Sequence, residues 1–196
     1  MGYNAAMQAK EIAQENLPQT GIEVIDSRTV GPSQLLIAIA AARVAREGKN
    51  LAEIVELVNN LLPRVSEFEA ADTLFYLDKG GRIFEAKSWA AAQSLGSFRT
   101  IVEIDAISGG AARPLARAKT KKQILKKVVD ITGGRVGGSK LHAAIVHTNV
   151  PDQAEQLKGM MLSQFQCDEF YICEALAPTA IHNGEGLVEF GFYSSD

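Results

Sequence analysis

Two short segments carry residue types that could hold an anion. The first is Leu77-Asp78-Lys79-Gly80-Gly81-Arg82-Ile83. Its paired glycines permit positive φ and let a ligand approach the backbone. Arg82 then projects from a tight turn just before a helix. A guanidinium beside free helical N–H groups suits a carboxylate or a phosphate. A solvated turn with an idle arginine explains the same residues. The second segment is Thr179-Ala180-Ile181-His182-Asn183-Gly184-Glu185-Gly186. Here a histidine is followed by two alternating glycines on a loop between strands. The imidazole can donate to a carboxylate or accept from a hydroxyl, and Gly184 and Gly186 admit a head group close to the chain. A surface loop is the plain alternative. His142 and His147 flank an apolar strand at 143–146 and read as structural or surface residues.

Other patterns carry less. Gly133-Gly134-Arg135-Val136-Gly137-Gly138-Ser139-Lys140 is glycine-rich, but Ser139 precedes Lys140 and a helix precedes the loop, so it is not a phosphate-binding loop. Asp26 and Ser27 follow a short apolar run, where α/β sheets place ligands; the pair is equally good turn chemistry. Lys121, Lys122, Lys126 and Lys127 form a solvated helix face or a basic docking patch. Cys167 and Cys173, the only cysteines, are too few and wrongly spaced for a disulfide scaffold or a metal knuckle, and read as reduced, mostly buried thiols. No Ser-His-Asp order, histidine-rich cluster or acid–base carboxylate pair stands out, so no catalytic residue, metal or cofactor is expected.

The elements that must position these residues alternate between helix and strand, the pattern of an α/β fold. Residues 1–15 read as an amphipathic helix closed by Pro18. Residues 21–25 (GIEVI) suit a buried strand. The apolar stretch 35–44 suits an interior helix ended by Gly48. Asn50 and Glu53 form a capping box for the next helix, which Pro63 stops. Beyond it, 68–76 reads as a strand, 85–95 as an alanine-rich helix, and 99–104 with 111–118 as a hairpin. A basic helix at 121–131 precedes a flexible loop at 133–138. A strand at 141–146, a helix from Pro151 to about 164, a strand at 170–175, a loop from Pro178 and a closing strand at 187–193 complete the chain. The natural boundary lies near 63–68. It gives an expected 1–67 remainder of a three-layer α/β/α domain and a 68–196 two-layer α/β domain with a mixed sheet. One strand in the front piece cannot make a sheet alone.

The chain has 196 residues, 46% hydrophobic and 22% charged, with a net charge of -3. That is an ordinary globular composition. It gives no reason to expect nucleic acid or an anionic membrane as partner, since both reward a basic surface. No apolar run reaches the roughly 18 residues that would span a bilayer, and the N-terminus lacks a signal peptide's apolar core. A soluble cytoplasmic protein is expected.

Taken in order, several of these segments resemble the DegV family. They are Val24-Ile25-Asp26-Ser27 followed by an apolar helix and Ala45-Arg46-Glu47-Gly48; Thr73-Leu74-Phe75-Tyr76-Leu77-Asp78-Lys79-Gly80-Gly81-Arg82-Ile83; Thr120-Lys121-Lys122; and Ile181-His182-Asn183-Gly184-Glu185-Gly186. The resemblance implies a two-domain, non-catalytic protein that encloses a long-chain fatty acid in an apolar tunnel and presents its carboxylate to a separate kinase subunit. It implies that His182, with Gly184 and Gly186, joins the head-group network. It places Arg82 and Gly81 at the head-group exit, facing the kinase. The sequence departs from the family where a proline is commoner than Glu185. The hydroxyl-bearing front motifs are absent, so an N-terminally truncated member is expected. Two alternatives accompany this reading. One is a subunit resembling the substrate-binding half of dihydroxyacetone kinases, with His182 attached to the ketone. The other is a truncated interaction module without ligand.

Overall fold

The structure is a computed structural model that describes residues 2–81 and 98–195. The helix expected at 85–95 lies outside the described residues. The fold is built on a six-stranded mixed sheet in the order β3-β2-β1-β6-β4-β5. These strands are β1 (Ser66–Ala71), β2 (Arg99–Glu103), β3 (Arg113–Ala118), β4 (Leu141–His147), β5 (Cys167–Glu174) and β6 (Val188–Ser194). Only β4 and β5 run parallel; the other neighbours are antiparallel. The parallel pair needs a crossover, which α6 (Pro151–Gln164) supplies.

Alternation along the strands sorts side chains between two faces. Phe68 and Ala70 of β1, Ile145 of β4 and Phe190 and Phe192 of β6 point to one face. There they pack under α5 (Lys121–Val136) and α6 with Leu125, Val129, Leu157 and Met161. On the opposite face α2 (Gly31–Arg46) lies across β6 and β4, with α3 (Leu51–Leu61) beside it. Leu36, Val58, Leu61, Ala144 and Tyr193 form that core. A third cluster, containing Leu74, Leu77, Val102 and Leu187, packs around α4 (Phe75–Lys79). An N-terminal helix α1 (Gly2–Asn16) and α7 (Ala177–Asn183) complete the described α-helices, and a 3-10 turn at Leu62–Arg64 follows α3.

The capping box of α3 is present as read: Asn50 accepts from the Glu53 amide at 3.1 Å and Glu53 accepts from the Asn50 amide at 2.9 Å. Four expectations change. Residues 21–25 form no strand: no neighbour among the described residues takes up their backbone groups, and Ile25 packs against the α2–α3 core instead. The strand expected at 68–76 ends at Ala71, because Thr73 Oγ1 accepts from the Phe75 amide at 3.1 Å and starts α4. The loop expected at 133–138 is helical through Val136, which is buried in the core, and Gly137 ends the helix at φ +59°. The loop expected from Pro178 is α7, with the proline in its first turn, where its missing N–H costs nothing.

Candidate functional site

The turn joining α7 to β6 carries His182, Gly184 and Gly186. Gly184 and Gly186 adopt φ of +81° and +85°, a region that favours glycine. Space also excludes a side chain. A Cβ on Gly184 would run into the Tyr76 ring, and one on Gly186 would come within 2.8 Å of Asp72 Oδ2. Thr148 fastens the turn from below. Its Oγ1 donates to the Gly184 carbonyl at 2.8 Å and accepts from the Leu187 amide at 2.9 Å. The Gly186 amide donates to the Thr148 carbonyl at 3.0 Å. His182 stands exposed at the end of α7. Glu185 turns outward, and Asn149 Nδ2 donates to it at 2.6 Å. A cleft of about 350 Å³ opens here, lined by Tyr76, Thr148, Asn149, Ala180, Gly184 and Glu185, among others.

The other expected anion site arrives from α4, which packs on α7. Leu77, Asp78 and Lys79 belong to α4 rather than to a strand and turn. Gly81 follows at φ +66°, exposed, with its amide donating to the Asp78 carbonyl at 3.0 Å. Arg82 lies outside the described residues. The two motifs thus share one end of the molecule through Tyr76 and Gly184.

The remaining residues singled out above sit elsewhere. Asp26 and Ser27 show turn chemistry: Asp26 Oδ1 accepts from the Arg28 amide at 3.2 Å, and Ser27 Oγ from the Thr29 amide at 3.4 Å. They line a separate cleft of about 520 Å³ with Val55, Leu62 and Ala106. Lys140 pairs with Asp168 at 3.1 Å. Lys121 pairs with Asp72 at 3.2 Å, and Lys126 with Asp130 at 2.9 Å. The thiols are less buried than expected, since β5 is an edge strand: Cys167 is half-buried and Cys173 exposed. His147 is buried and His142 half-buried.

Sequence reasoning missed a set of buried acids. Glu67 and Glu69 of β1 and Glu189 of β6 point to the α2 face, each at most 1% exposed. The Ser33 amide at the start of α2 donates to Glu67 Oε2 at 2.9 Å, and Ser33 Oγ donates to the Ser66 carbonyl at 2.9 Å. Asn183 Nδ2 donates to Glu189 Oε1 at 3.2 Å. Burial, then the neighbouring Glu189, pushes the Glu67 carboxyl well above its ordinary range. Burial, then Glu69, does the same to Glu189. The segments EFEAA and VEFGF placed glutamates on the alternate positions of apolar strands, and that pattern was the available signal. On the opposite face Glu103 is also buried but is paired with Arg113 and Arg135, and Arg135 reaches Asp105 at 3.3 Å.

The chain is an α/β protein whose mixed sheet carries helices on both faces. A family model described as "Uncharacterised protein, DegV family" matches residues 2–195. The chain belongs to the DegV family. A DegV domain-containing protein of Clostridium acetobutylicum is 28% identical over 197 residues, covering 98% of this chain and 66% of the relative. The chain spans 54–66% of the length of the curated relatives it matches. A DegV family protein from Eubacterium eligens loaded with heptadecanoic acid superposes with a TM-score of 0.89 at 22% identity, over 98% of this chain and 68% of that one. The fatty acid kinase (Fak) B3 protein of Streptococcus pneumoniae, loaded with linoleic acid, superposes with a TM-score of 0.86 at 23% identity, over 99% and 67%. At these identities the likeness establishes the fold.

Proposed function

We propose that this chain forms part of a non-catalytic protein that binds a long-chain fatty acid and presents its carboxylate to a partner kinase. The observation that carries this reading is the superposition, across nearly the whole chain, on a family member loaded with heptadecanoic acid. The local chemistry agrees with it. His182, exposed at the end of α7, would offer a hydrogen-bond donor to the carboxylate, with Gly184 and Gly186 of the same turn joining the head-group network. Gly81 and Arg82 would then face the exit and the kinase, a partner suggested by the fatty acid kinase name of the Fak B3 relative. Affinity would come mainly from the tail, at about 0.8 kcal/mol for each buried methylene. A long chain thus supplies on the order of 10 kcal/mol before ordering costs. The head-group residues orient the ligand more than they hold it.

Native mass spectrometry of the chain after incubation with palmitate or oleate tests the reading. A one-to-one adduct is expected, weakened in His182→Ala. A chain that takes up neither acid overturns it.

A further inference from the structure

The lysines that open α5 have no role in the core, and a chain of contacts joins them to the 182–186 turn. Asp72 lies beside Gly186, so close that a Cβ there would sit 2.8 Å from Asp72 Oδ2. Arg99 Nε donates to Asp72 at 2.6 Å, and Arg99 Nη1 donates to the Lys119 carbonyl at 3.2 Å. Lys121 Nζ reaches Asp72 at 3.2 Å. Thr120 then caps α5, its Oγ1 accepting from the Gln123 amide at 3.2 Å. These bonds fix Arg99, Lys119, Lys121 and Lys122 as a cationic rim at the end of the molecule that carries the turn. Lys119 and Lys122 are exposed, and among the described residues no carboxylate pairs with either side chain.

This placement works against folding. The start of a helix carries a partial positive charge, which favours acids and disfavours cations in the first turn. α5 has Lys121 and Lys122 there, Lys119 just before them, and no acid. Its capping box uses the neutral Gln123, whereas that of α3 uses Glu53, which also meets Lys49 at 2.8 Å. Composition does not force the cluster either, since the chain has 20 Lys and Arg against 23 Asp and Glu. Asp72 is shared between Arg99 and Lys121, and Glu185 of the turn accepts from Asn149 instead. We propose that this rim is the surface on which the partner kinase docks, through an acidic face of the kinase, with Lys119 and Lys122 as the exposed contacts. The proposal rests on the lipid-presenting reading and adds the chemistry of the partner.

An anionic bilayer would reward the same lysines, but two observations favour a protein. The net charge of -3 repels the chain as a whole from such a bilayer. The rim is also held in one geometry, by Asp72 through Arg99 and Lys121 and by the Thr120 cap, which suits charges fixed on a folded partner. Exposed rim charges act mainly on the rate of encounter and on its salt dependence, and less on buried affinity. The kinase would thus be steered to the end of the molecule where the fatty-acid carboxylate is presented.

The test uses the full chain loaded with palmitate. The probe is the kinase subunit of the Streptococcus pneumoniae fatty acid kinase, the enzyme for which the Fak B3 relative is named. Lys119→Glu combined with Lys122→Glu should slow association with the kinase about tenfold at low salt. Wild-type association should slow as salt is raised, and that of the variant should not. Palmitate uptake by native mass spectrometry should be unchanged in the variant. Its melting temperature should be equal or higher, since acids replace cations at a helix start. Arg46→Glu, at the far end of α2, should slow association far less. Should the double variant not fold, Lys119→Gln and Lys122→Gln singly give the same comparison. A loaded wild type that does not associate with the kinase overturns the proposal. So does a double variant that associates as fast as the wild type, or an equal loss in Arg46→Glu. Binding to phosphatidylglycerol vesicles that needs the two lysines, without binding to the kinase, overturns it in favour of a membrane. A chain that takes up no palmitate overturns the lipid reading instead. Docking is then judged on the unloaded chain by the same variants, where association lost in the double variant supports the rim and association retained overturns it.

Discussion

Glu169 sits on β5 beneath α2, where three side chains converge on one carboxylate. Arg43 grips both oxygens, Tyr171 donates at 2.6 Å and His142 Nδ1 lies at 2.6 Å. Burial alone would raise this acid; the hydrogen bonds from Arg43, Tyr171 and His142 outweigh it and hold the group at about 2. The sign is therefore opposite to that of Glu189. The stability Glu169 contributes is present above its ordinary value of 4.5 and is lost as pH falls toward about 2. Denaturant melts from neutral pH downward should show a steeper acid loss in the wild type than in Glu169→Gln. Parallel curves would show that the cluster adds nothing. Gly184 makes a second prediction at this scale. Gly184→Ala must place a methyl against Tyr76 at positive φ, which should cost about 1–3 kcal/mol, read as a lowered denaturation midpoint. A midpoint equal to the wild type would mean that the turn relaxes freely.

At the scale of elements, α5 was the least legible. Gly133-Gly134, in a six-residue segment that holds four glycines, signalled a loop, because glycine costs up to about 1 kcal/mol in a helix. Long-range contacts override that cost. Val136 is buried in the core, and Arg135 is anchored to Glu103, Asp105 and the Ser66 hydroxyl while lying 4.7 Å from the centre of the Phe68 ring. None of those partners is near in sequence, so no local pattern announces them. The same contrast explains the capping box of α3, which was legible because both of its members lie within four residues. A helical Gly134 with open space where a Cβ would sit implies that Gly134→Ala should raise stability by about 0.5–1 kcal/mol. Equal or lower stability by urea denaturation would argue that the helix does not persist through this point.

For the molecule as a whole, the alternation of helix and strand conveyed the α/β class, and the two glycine motifs were legible as separate segments. The sequence did not convey that α4 and α7 bring those motifs together, since that depends on Tyr76 filling the space left by Gly184. Nor did it convey the buried acids as a group. Glu69 and Glu189 are 120 positions apart in the chain and meet only through the β1–β6 register.

That register has a bearing on how the chain comes to be folded. β6 stands between β1 and β4, so it joins β3-β2-β1 to β4-β5. It is also the last of the six strands to leave the ribosome. Until it arrives, two half-sheets each expose an inner edge of unsatisfied amides and carbonyls, and such edges invite mispairing. A nascent chain halted before Val188 is therefore expected to be a client for holding chaperones. The finished fold is sealed late, by a strand whose second residue, Glu189, is flanked by Gly31 on one side of the junction and Asn183 on the other.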